Sequence, residues 1–534
     1  MNSRASLLFV LHAHLPFVNH PASSSFLEEN WFFEAVAETY VPLIRMFERL
    51  AADHIRPGIT LSVSPTLGAM FENEELKEKL FSYLESRLEI LGKEKIRLKK
   101  EKKVLKALAM YERLYLDSLD LLHANGGSLI IPLRALQRAG QIEIITTSAT
   151  HAVLPLLIRK EAVRAQVAVA ATDYESRFGI KPKGFWLPEC AYEPSLNAYL
   201  RMAGFKYSFA ESHSIDGMSD KAVFGVFSSY RSPNGMNFFI RDSFSSAEVW
   251  SARNGYPGNP AYREFYRDLG FDADLDYIRP YLGEGGTRHP LGIKYYRITD
   301  SSKDLSGRDY YDTDKAMAQV EKDAADYVRR RIEQAAAVSM PGREPLIVNC
   351  YDAELFGHWW FEGPAFLENV IRRIRKDRLP LRFVTPSEYQ AAYPQPPELV
   401  PGVSSWGEKG YFEPWVNPSN DWIYRNLFSV TDKMIDAANF FKTRHLMPLQ
   451  RRALNQAARE VLLAQSSDWA FLIYIGSHAA YAKRRFAEHV NSAAELLEKS
   501  IQNNINEQEL LKLELKNNIF PNMDFRLFSS PARY

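Results

Sequence analysis

The sequence predicts an α/β barrel with additional helices, and three features of the chain support this. Short apolar runs typical of buried strands recur along the 534 residues, helical patterns separate them, and polar side chains follow the runs directly. The run 6–11 leads into His12, and the run 345–351 leads into Asp352. Barrel folds keep their functional residues at such strand ends.

Predicted strands and helices alternate from the N-terminus to about residue 395. Strands are predicted at 6–11, 59–63, 141–147, 183–187, 206–210, 237–241, 345–352 and 381–385. Helices between them are predicted at 31–51, 161–178 and 314–337. This alternation favours a parallel barrel, and we assign residues 1–395 to a catalytic barrel domain.

A helical insertion is predicted within the barrel, at 70–128. Residues 72–123 contain no proline, a single glycine and many Leu, Glu and Lys residues, which predicts two long helices. The basic stretch 93–103 also contains glutamates, so we interpret it as a solvated helix or turn.

A helical C-terminal domain is predicted at 396–534. The proline-rich stretch 394–401 has the composition of a linker. Periodic apolar patterns then predict helices at 420–446, 448–465 and 468–500. The pattern leaves open whether the tail from Asn517 is ordered.

Composition argues against several classes of function. With 66 basic and 65 acidic residues the formal net charge is +1, which gives no reason to expect a nucleic acid or a membrane as partner. No stretch is long and apolar enough to cross a bilayer. Two cysteines are too few for a disulfide framework, so we expect reduced thiols in a cytoplasmic enzyme. A neutral polymer suits this charge balance.

Two carboxylates follow predicted strands and have aromatic neighbours. Glu189 stands after Trp186 and Pro188, and Asp352 precedes His358. Retaining glycosidases use one carboxylate as nucleophile and a second as acid/base, about 5 Å apart. Apolar neighbours raise the pKa of a carboxyl, and His358 could tune Asp352 as a proton donor. We predict Glu189 and Asp352 as the catalytic pair, with structural pairing to Arg or Lys as the alternative.

Three histidines at strand ends have two interpretations. His12 and His14 lie on one side of an extended segment, and His151 follows another predicted strand. They could bind sugar hydroxyls, or they could hold zinc, which would make the protein a metal-dependent polysaccharide deacetylase. The chain has no His-x-Glu-x-x-His or Cys-x-x-Cys pattern, so we favour sugar binding and expect no metal.

Two other stretches contain candidate residues of the C-terminal part. A loop rich in Gly and Pro holds Trp406 and Trp415, which suits platforms for glucose rings, with packing against the barrel as the alternative. Asp468 precedes a tryptophan and is explained most simply as a helix N-cap.

Five motifs together resemble those of glycoside hydrolase family 57. In chain order they are His12-Ala-His-Leu-Pro16, Thr147-Ser-Ala-Thr-His151, Trp186-Leu-Pro-Glu-Cys-Ala-Tyr192, Tyr351-Asp-Ala-Glu-Leu-Phe-Gly-His-Trp-Trp360 and Thr385-Pro-Ser-Glu-Tyr389. The third and fourth are long and specific, and the resemblance covers nearly the whole chain. The layout resembles that of the family's 1,4-α-glucan branching members.

The resemblance implies a distorted (β/α)7 barrel with an inserted helical hairpin and an all-helical C-terminal domain. It also implies retaining transfer from an α-1,4-glucan (amylose or glycogen) to a C6 hydroxyl, with Glu189 as nucleophile and Asp352 as acid/base. It implies no metal and no cofactor. We expect a cytoplasmic monomer in glycogen synthesis; the alternative is an α-amylase or a 4-α-glucanotransferase of the same family.

The residues and the resemblance together give the candidate substrate contacts. These are His12, His14, His151, Trp186, Tyr256, Arg263, His358, Trp406, Trp415 and Asp468. Tyr256 resembles the tyrosine of a mobile loop in the family, and Arg263 resembles a binding arginine. Tyr296 stands where related enzymes have a tryptophan, and Ser477 where they have a glutamine, which bears on acceptor preference.

Overall fold

The computed structural model describes residues 4–21, 27–218, 221–283, 286–300 and 304–530. Its strands are β1 (Ala5–Ala13), β2 (Ile59–Val63), β3 (Ile142–Ile145), β4 (Tyr207–Ala210), β5 (Ser229–Arg231), β6 (Asn237–Ile240), β7 (Leu346–Asp352) and β8 (Leu381–Phe383). Seven of the eight predicted strands are thus present, several of them shorter than predicted. The strand predicted at 183–187 is wrong, because this segment makes only single bridges at Gly184 and Phe185. Strand β5 is an addition that the sequence pattern did not indicate.

Seven parallel segments follow one another around a distorted barrel. Strand β1 pairs with β2 and β7, and β2 pairs with β3. The segment 184–186 then bridges to Thr146 on one side and to Tyr207 of β4 on the other. Strand β4 pairs with β6, and the N–H of Asp242 after β6 donates to the carbonyl of Val348 in β7, 2.8 Å away. Single bridges at these links explain the distortion.

Strand β1 determines which side chains meet at the carboxyl ends of the strands. It is buried along its whole length because it has partners on both edges. Its register sets His12 beside Ser62 of β2 and beside Asp352 of β7. Strand β8 pairs only with the beginning of β1, at Ala5–Leu7, and leaves these ends open.

The helices cover the barrel and build the C-terminal part. In chain order they are α1 (Glu29–Ala35), α2 (Val41–Ala52), α3 (Pro65–Phe71), α4 (Glu74–Arg97), α5 (Lys102–Ala124), α6 (Ile130–Arg138), α7 (Lys160–Phe178), α8 (Leu196–Met202), α9 (Ser243–Trp250), α10 (Leu269–Asp272), α11 (Leu275–Ile278), α12 (Thr313–Ala336), α13 (Gly363–Lys376), α14 (Pro386–Ala392), α15 (Trp422–Phe441), α16 (Pro448–Ala464), α17 (Ser467–Ile475), α18 (Ala479–Gln502) and α19 (Glu507–Lys516). A π-helical turn, Val36–Tyr40, joins α1 to α2. Helices α4 and α5 pack together as the predicted hairpin.

The C-terminal helices differ from the prediction in one place. The single helix predicted at 468–500 is wrong, because Gly476 and His478 adopt left-handed backbone conformations (φ +77° and +57°) and separate α17 from α18. Helix α19 was not predicted. The segment after it packs back on the molecule through the buried rings of Phe525 and Phe528, so this part of the tail is ordered. Among the described residues, we find no helix whose length and apolar character would let it span a bilayer.

Candidate active site

A cavity of about 620 Å³ at the carboxyl ends of the strands contains both candidate catalytic carboxylates. Glu189 and Asp352 line it together with Glu211, His213, Arg241, Trp250, Trp406, Trp415 and Phe471. These residues come from the barrel, from α9, from the loop before α15 and from α17. The fold therefore brings distant parts of the chain to one cleft, as expected for barrel strand ends.

Glu189 lies on a strained turn. Its φ is +58° and that of Cys190 is +49°, a left-handed conformation that is uncommon for residues with a Cβ. The turn follows Pro188, and the N–H of Trp406 donates to the carbonyl oxygen of Glu189 at 2.7 Å. This contact fixes the tryptophan loop to the turn and leaves the Glu189 side chain 25% exposed at the cavity.

Burial raises the pKa values of both carboxyls, and nearby negative charge raises that of Glu189 further. Burial raises the pKa of Asp352 to about 7, although the charges of His14 and Arg241 oppose the shift. Burial, followed by the charges of Asp352 and Asp468, raises the pKa of Glu189 well above its usual range. Near pH 7 the two carboxyls therefore hold at least one proton between them.

The three predicted histidines lie together beside Glu189, whose Oε1 is 3.8 Å from Nδ1 of His151. The Nε2 atoms of His12 and His151 are 2.7 Å apart in a hydrogen bond, and the rings of His14 and His151 stack with centroids 3.7 Å apart. Ser62 and Ser467 bind the other nitrogens of His12 and His151, at 3.1 and 2.8 Å. Burial lowers the pKa of both His12 and His151 well below 6.5, so these imidazoles are neutral.

Asp468 reaches this cluster from the C-terminal helices. It lies in the first turn of α17, after the N-cap position at Ser466, so its interpretation as an N-cap is wrong. Its Oδ2 lies 3.1 Å from Nε2 of His14. Although burial opposes the shift, the charge and hydrogen bond of His14, the charge of His151 and a hydrogen bond from Ser466 lower the pKa of Asp468 to about 2. The side chain is therefore an ionised acceptor within the histidine cluster.

His14, His151 and Asp468 also form a group that could hold a metal ion. Their ligand atoms all lie within 4.8 Å of one another. Each of them already has a hydrogen-bonding partner within the cluster or in the neighbouring serines. A metal ion or a sugar hydroxyl would have to replace some of these hydrogen bonds, and an experiment with a chelator separates the two uses.

The predicted tryptophans differ in what they offer to a ligand. Trp186 is fully buried and stacks on His12, with ring centroids 5.2 Å apart. Trp406 lines the cavity, 4.9 Å from Trp186 between ring centroids. Trp415 borders the same cavity but is only 1% exposed and stacks near Phe471. Of the three, Trp406 is best placed as a platform, and the other two shape the cavity from behind.

Three predicted contacts lie outside the cavity. Nη1 of Arg263 donates to Glu38 at 2.7 Å and its Nη2 to the carbonyl of His358 at 2.8 Å, and its side chain is only 1% exposed. Nδ1 of His358 lies 2.7 Å from Glu38. The hydroxyl of Tyr256 donates to Asp326 at 2.9 Å. In this conformation Arg263 and His358 stabilise the loop after β7.

Several cavity residues were missed by the sequence analysis. Arg241 directly follows β6 and Glu211 directly follows β4, and the two form an ion pair of 2.9 Å. The rule that identified Glu189 and Asp352 would have found both, because they also stand at predicted strand ends. Trp250 ends helix α9, and no pattern in the sequence marks it as a cavity residue.

The fold and the cleft define the class of protein: an α/β barrel whose strand ends bring two carboxyls into an aromatic cavity, as in barrel enzymes that act on sugars. The model of glycosyl hydrolase family 57 matches residues 8–400, and that of the C-terminal part of 1,4-alpha-glucan branching enzymes matches residues 426–528. The chain belongs to glycosyl hydrolase family 57.

Known relatives include both branching enzymes and an amylase. A 1,4-alpha-glucan branching enzyme of Thermococcus kodakarensis is 34% identical, over 90% of this chain and 72% of the relative. The solved structure of an alpha-amylase of Thermotoga maritima is 38% identical, with a TM-score of 0.92 over 99% of this chain and 100% of the other. That of a branching enzyme of Pyrococcus horikoshii is 31% identical, with a TM-score of 0.87 over 99% and 97%.

Proposed function

We propose that the protein is a retaining 1,4-α-glucan branching enzyme that cuts an α-1,4-glucan and transfers the cut chain to a C6 hydroxyl. The observation that carries this proposal is the place of Asp468. It belongs to the part of the chain that matches the branching-enzyme C-terminal model, and it binds His14 in the histidine cluster beside Glu189. The relatives named as branching enzymes support the same activity.

In the proposed first step, Glu189 attacks the anomeric carbon of a bound glucan. The bond from that carbon to the leaving oxygen breaks, and Asp352 gives its proton to this oxygen. A pKa of about 7 suits Asp352 for this role, because the group is substantially protonated at neutral pH. The neutral imidazoles of His12 and His151, and the ionised Asp468, bind hydroxyls of the sugar.

In the proposed second step, Asp352 accepts the proton of an incoming hydroxyl. The hydroxyl oxygen attacks the anomeric carbon, and the bond from that carbon to Glu189 breaks, which restores the free carboxylate. A C6 hydroxyl of a second glucan gives an α-1,6 branch, and water gives a new reducing end. The balance between these products depends on how the cleft holds the acceptor.

An α-amylase is the second candidate function, because an alpha-amylase has the same fold over the whole chain at 38% identity. Hydrolysis needs the same carboxylate pair and the same binding cluster. The two candidates therefore differ only in which nucleophile resolves the covalent intermediate.

The cellular setting and organisation are also part of the proposal. A neutral-polymer substrate, a balanced charge and reduced Cys190 and Cys350 are consistent with a cytoplasmic monomer in glycogen synthesis. We propose that the chain is divided into a barrel domain at 1–395, a helical insertion within it at 70–128, and a C-terminal domain at 396–534.

One experiment separates the candidate functions. Chelator-treated protein is incubated with amylose. The α-1,6 linkages formed are counted as the chains that isoamylase releases, and new reducing ends are counted separately. We expect many branches with few reducing ends, and no activity in Glu189→Gln. Reducing ends without branches would make the protein an amylase, and activity that returns only with zinc would assign the chemistry to the histidine cluster.

A further inference from the structure

Two exposed tryptophans adjoin the catalytic cavity. Trp250, at the end of α9, is 40% exposed, and Trp359, in the loop after β7, is 44% exposed. Their rings meet edge to face, with centroids 6.3 Å apart and planes at 88°. Single exposed apolar residues are ordinary on protein surfaces, but two adjoining indoles beside a cavity form a patch that fits a ligand.

The two indoles continue a line of aromatic rings that begins inside the cleft. Trp250 lines the cavity that contains Glu189 and Asp352. Its ring centroid lies 6.2 Å from that of Trp406, which in turn lies 4.9 Å from that of Trp186. Four tryptophans thus connect the histidine cluster to the surface. A glucan chain that leaves the cavity along this line meets Trp250 and then Trp359.

The outer end of the line belongs to the loop that begins at Asp352. Trp359 lies seven residues after Asp352 in the same loop, and its N–H donates to the carbonyl of Glu354 at 3.1 Å. Within the histidine cluster, His151 is the member next to the nucleophile, with its Nδ1 3.8 Å from Oε1 of Glu189. Because the acid protonates the leaving oxygen, the leaving part of the glucan extends past Asp352.

We propose that Trp250 and Trp359 form a platform for the glucan that leaves on the Asp352 side and for the acceptor chain that replaces it. The inference deepens the proposed function, since it names the residues that favour transfer over hydrolysis. An acceptor enters the site that the leaving chain vacates, and the apolar faces of its glucose rings stack on indoles. Water needs no such platform, so the indoles favour the C6 hydroxyl as the nucleophile.

The test measures branches and reducing ends from amylose at increasing concentration, in the full-length protein. Loss of the Trp359 ring in Trp359→Ala removes one stacking contact, so the ratio of branches to reducing ends should fall about fivefold. Trp250→Ala should lower the same ratio, and Trp359→Phe should keep most of it. Trp422→Ala removes a comparably exposed tryptophan from α15 and should leave the ratio unchanged.

The ratio distinguishes an acceptor role from a donor role. If both products fall together in Trp359→Ala while their ratio stays constant, the platform does not serve the acceptor and the proposal is overturned. Calorimetric titration of maltoheptaose into Glu189→Gln gives a readout that needs no activity. The double variant that carries both Glu189→Gln and Trp359→Ala should bind maltoheptaose about fivefold more weakly than Glu189→Gln alone. An unchanged Kd would overturn the proposal that these indoles bind glucan.

Failure of the proposed function is visible separately, in the wild-type protein. If it releases reducing ends and forms no branches, the branching activity is excluded before any variant is measured. The titration then decides the platform by itself, because the leaving chain of a hydrolysed glucan would use the same two indoles.

Discussion

Glu189 and Asp352 share a cavity in which each ionised carboxyl makes the other harder to ionise. The reaction needs Glu189 without its proton and Asp352 with one, so activity should peak in the pH range where the pair holds a single proton. The charged neighbours favour the opposite arrangement, because Arg241 and His14 lower the pKa of Asp352 whereas Asp468 raises that of Glu189. The reactive form is therefore the one in which the shared proton has moved to Asp352.

Asp352→Asn should separate the two steps of the reaction. A glycosyl fluoride needs no proton for its leaving group, so fluoride release should persist, whereas action on amylose should fall by about 10²–10⁴-fold. In the variant, the charge of Asp352 no longer raises the pKa of Glu189. The acidic limb of the pH profile for fluoride release should therefore move to lower pH. Equal losses of activity on amylose and on the glycosyl fluoride would contradict the assignment of Asp352 as the acid/base. So would an acidic limb of the pH profile that moves to higher pH.

Asp468→Asn should weaken glucan binding with the fold intact. The change keeps the side-chain shape but removes an ionised acceptor that binds His14, and such charge-assisted bonds typically contribute about tenfold or more to binding. We expect a KM for amylose about tenfold higher and a melting temperature within about 2 °C of wild type. Trp422→Ala serves as control, and an unchanged KM would remove Asp468 from the binding site.

Residue patterns predicted part of this site and could not predict the rest. Glu189, Asp352 and the three histidines were found because each stands directly after a buried run. Arg263 was expected at the substrate, but its guanidinium pairs with Glu38, and no local pattern indicates such a distant partner. Trp250 was missed because a helix end carries no signal for a cavity.

At the scale of elements, the π-helical turn Val36–Tyr40 holds the loop that follows β7. Glu38 from this turn binds both Arg263 and His358, and the hydroxyl of Tyr40 donates to Glu354. Glu354 also accepts the backbone N–H of His14 at 3.2 Å. The turn therefore connects the loop that begins at Asp352 to the histidine cluster.

Gly357→Ala should disrupt this contact. Gly357 has a φ of +120°, and a Cβ there would lie 1.8 Å from the carbonyl oxygen of Glu38, a backbone atom that cannot give way. We expect a loss of about 3 kcal/mol in the free energy of unfolding, measured by chemical denaturation.

Gly92→Ala is the matched control for this loss. Gly92 lies inside helix α4 with no atom within 4 Å of the added Cβ, so alanine should stabilise the protein by up to about 1 kcal/mol. If both variants change stability by the same amount, the contact between the loop and the π-helical turn is not what holds the loop.

The presence of a helix or strand was easier to predict from the sequence than the points at which a helix is interrupted. The barrel strands and the hairpin follow from apolar periodicity and from the absence of proline, and the structure contains the hairpin and every predicted strand except that at 183–187. The break between α17 and α18 was missed because Gly476 and His478 sit inside one continuous apolar period. The π-helical turn was missed because its residues fit an ordinary helix equally well.

At the scale of the whole molecule, the carboxyl pair makes stability depend on pH. The pKa of Asp352 is raised in the folded state, from 3.8 to about 7, so the folded form binds the proton more tightly than the unfolded form. This contribution is present in full below about pH 3.8 and is lost as the pH rises through 7. The active site therefore lowers stability in alkaline solution.

Asp352→Asn should remove this loss of stability at high pH. We expect the variant to be more stable than wild type by roughly 1–4 kcal/mol at pH 8–9, with the difference vanishing near pH 3, where the carboxyl is protonated in both states. Urea unfolding at a series of pH values measures the difference. A variant that is equally destabilised at both ends of the range would show that Asp352 is a structural partner.

The way in which distant elements come together to form the site could not be predicted from a single sequence. The register of β1 places His12 opposite Asp352, and α17 brings Asp468 to His14 across more than 450 residues of chain. Both contacts depend on packing of the completed fold. The resemblance to a family, carried by five motifs, supplied the C-terminal contact that periodicity alone could not.

The most direct test of the central claim traps the covalent intermediate. The protein is incubated with a 5-fluoro-α-maltosyl fluoride, whose glycosyl-enzyme resists turnover, and the labelled peptide is identified by mass spectrometry. We predict one added fluoromaltosyl group on Glu189, in the tryptic peptide that begins at Gly184. A label on Asp352, or a substrate that is consumed with inversion and without any label, would contradict the mechanism.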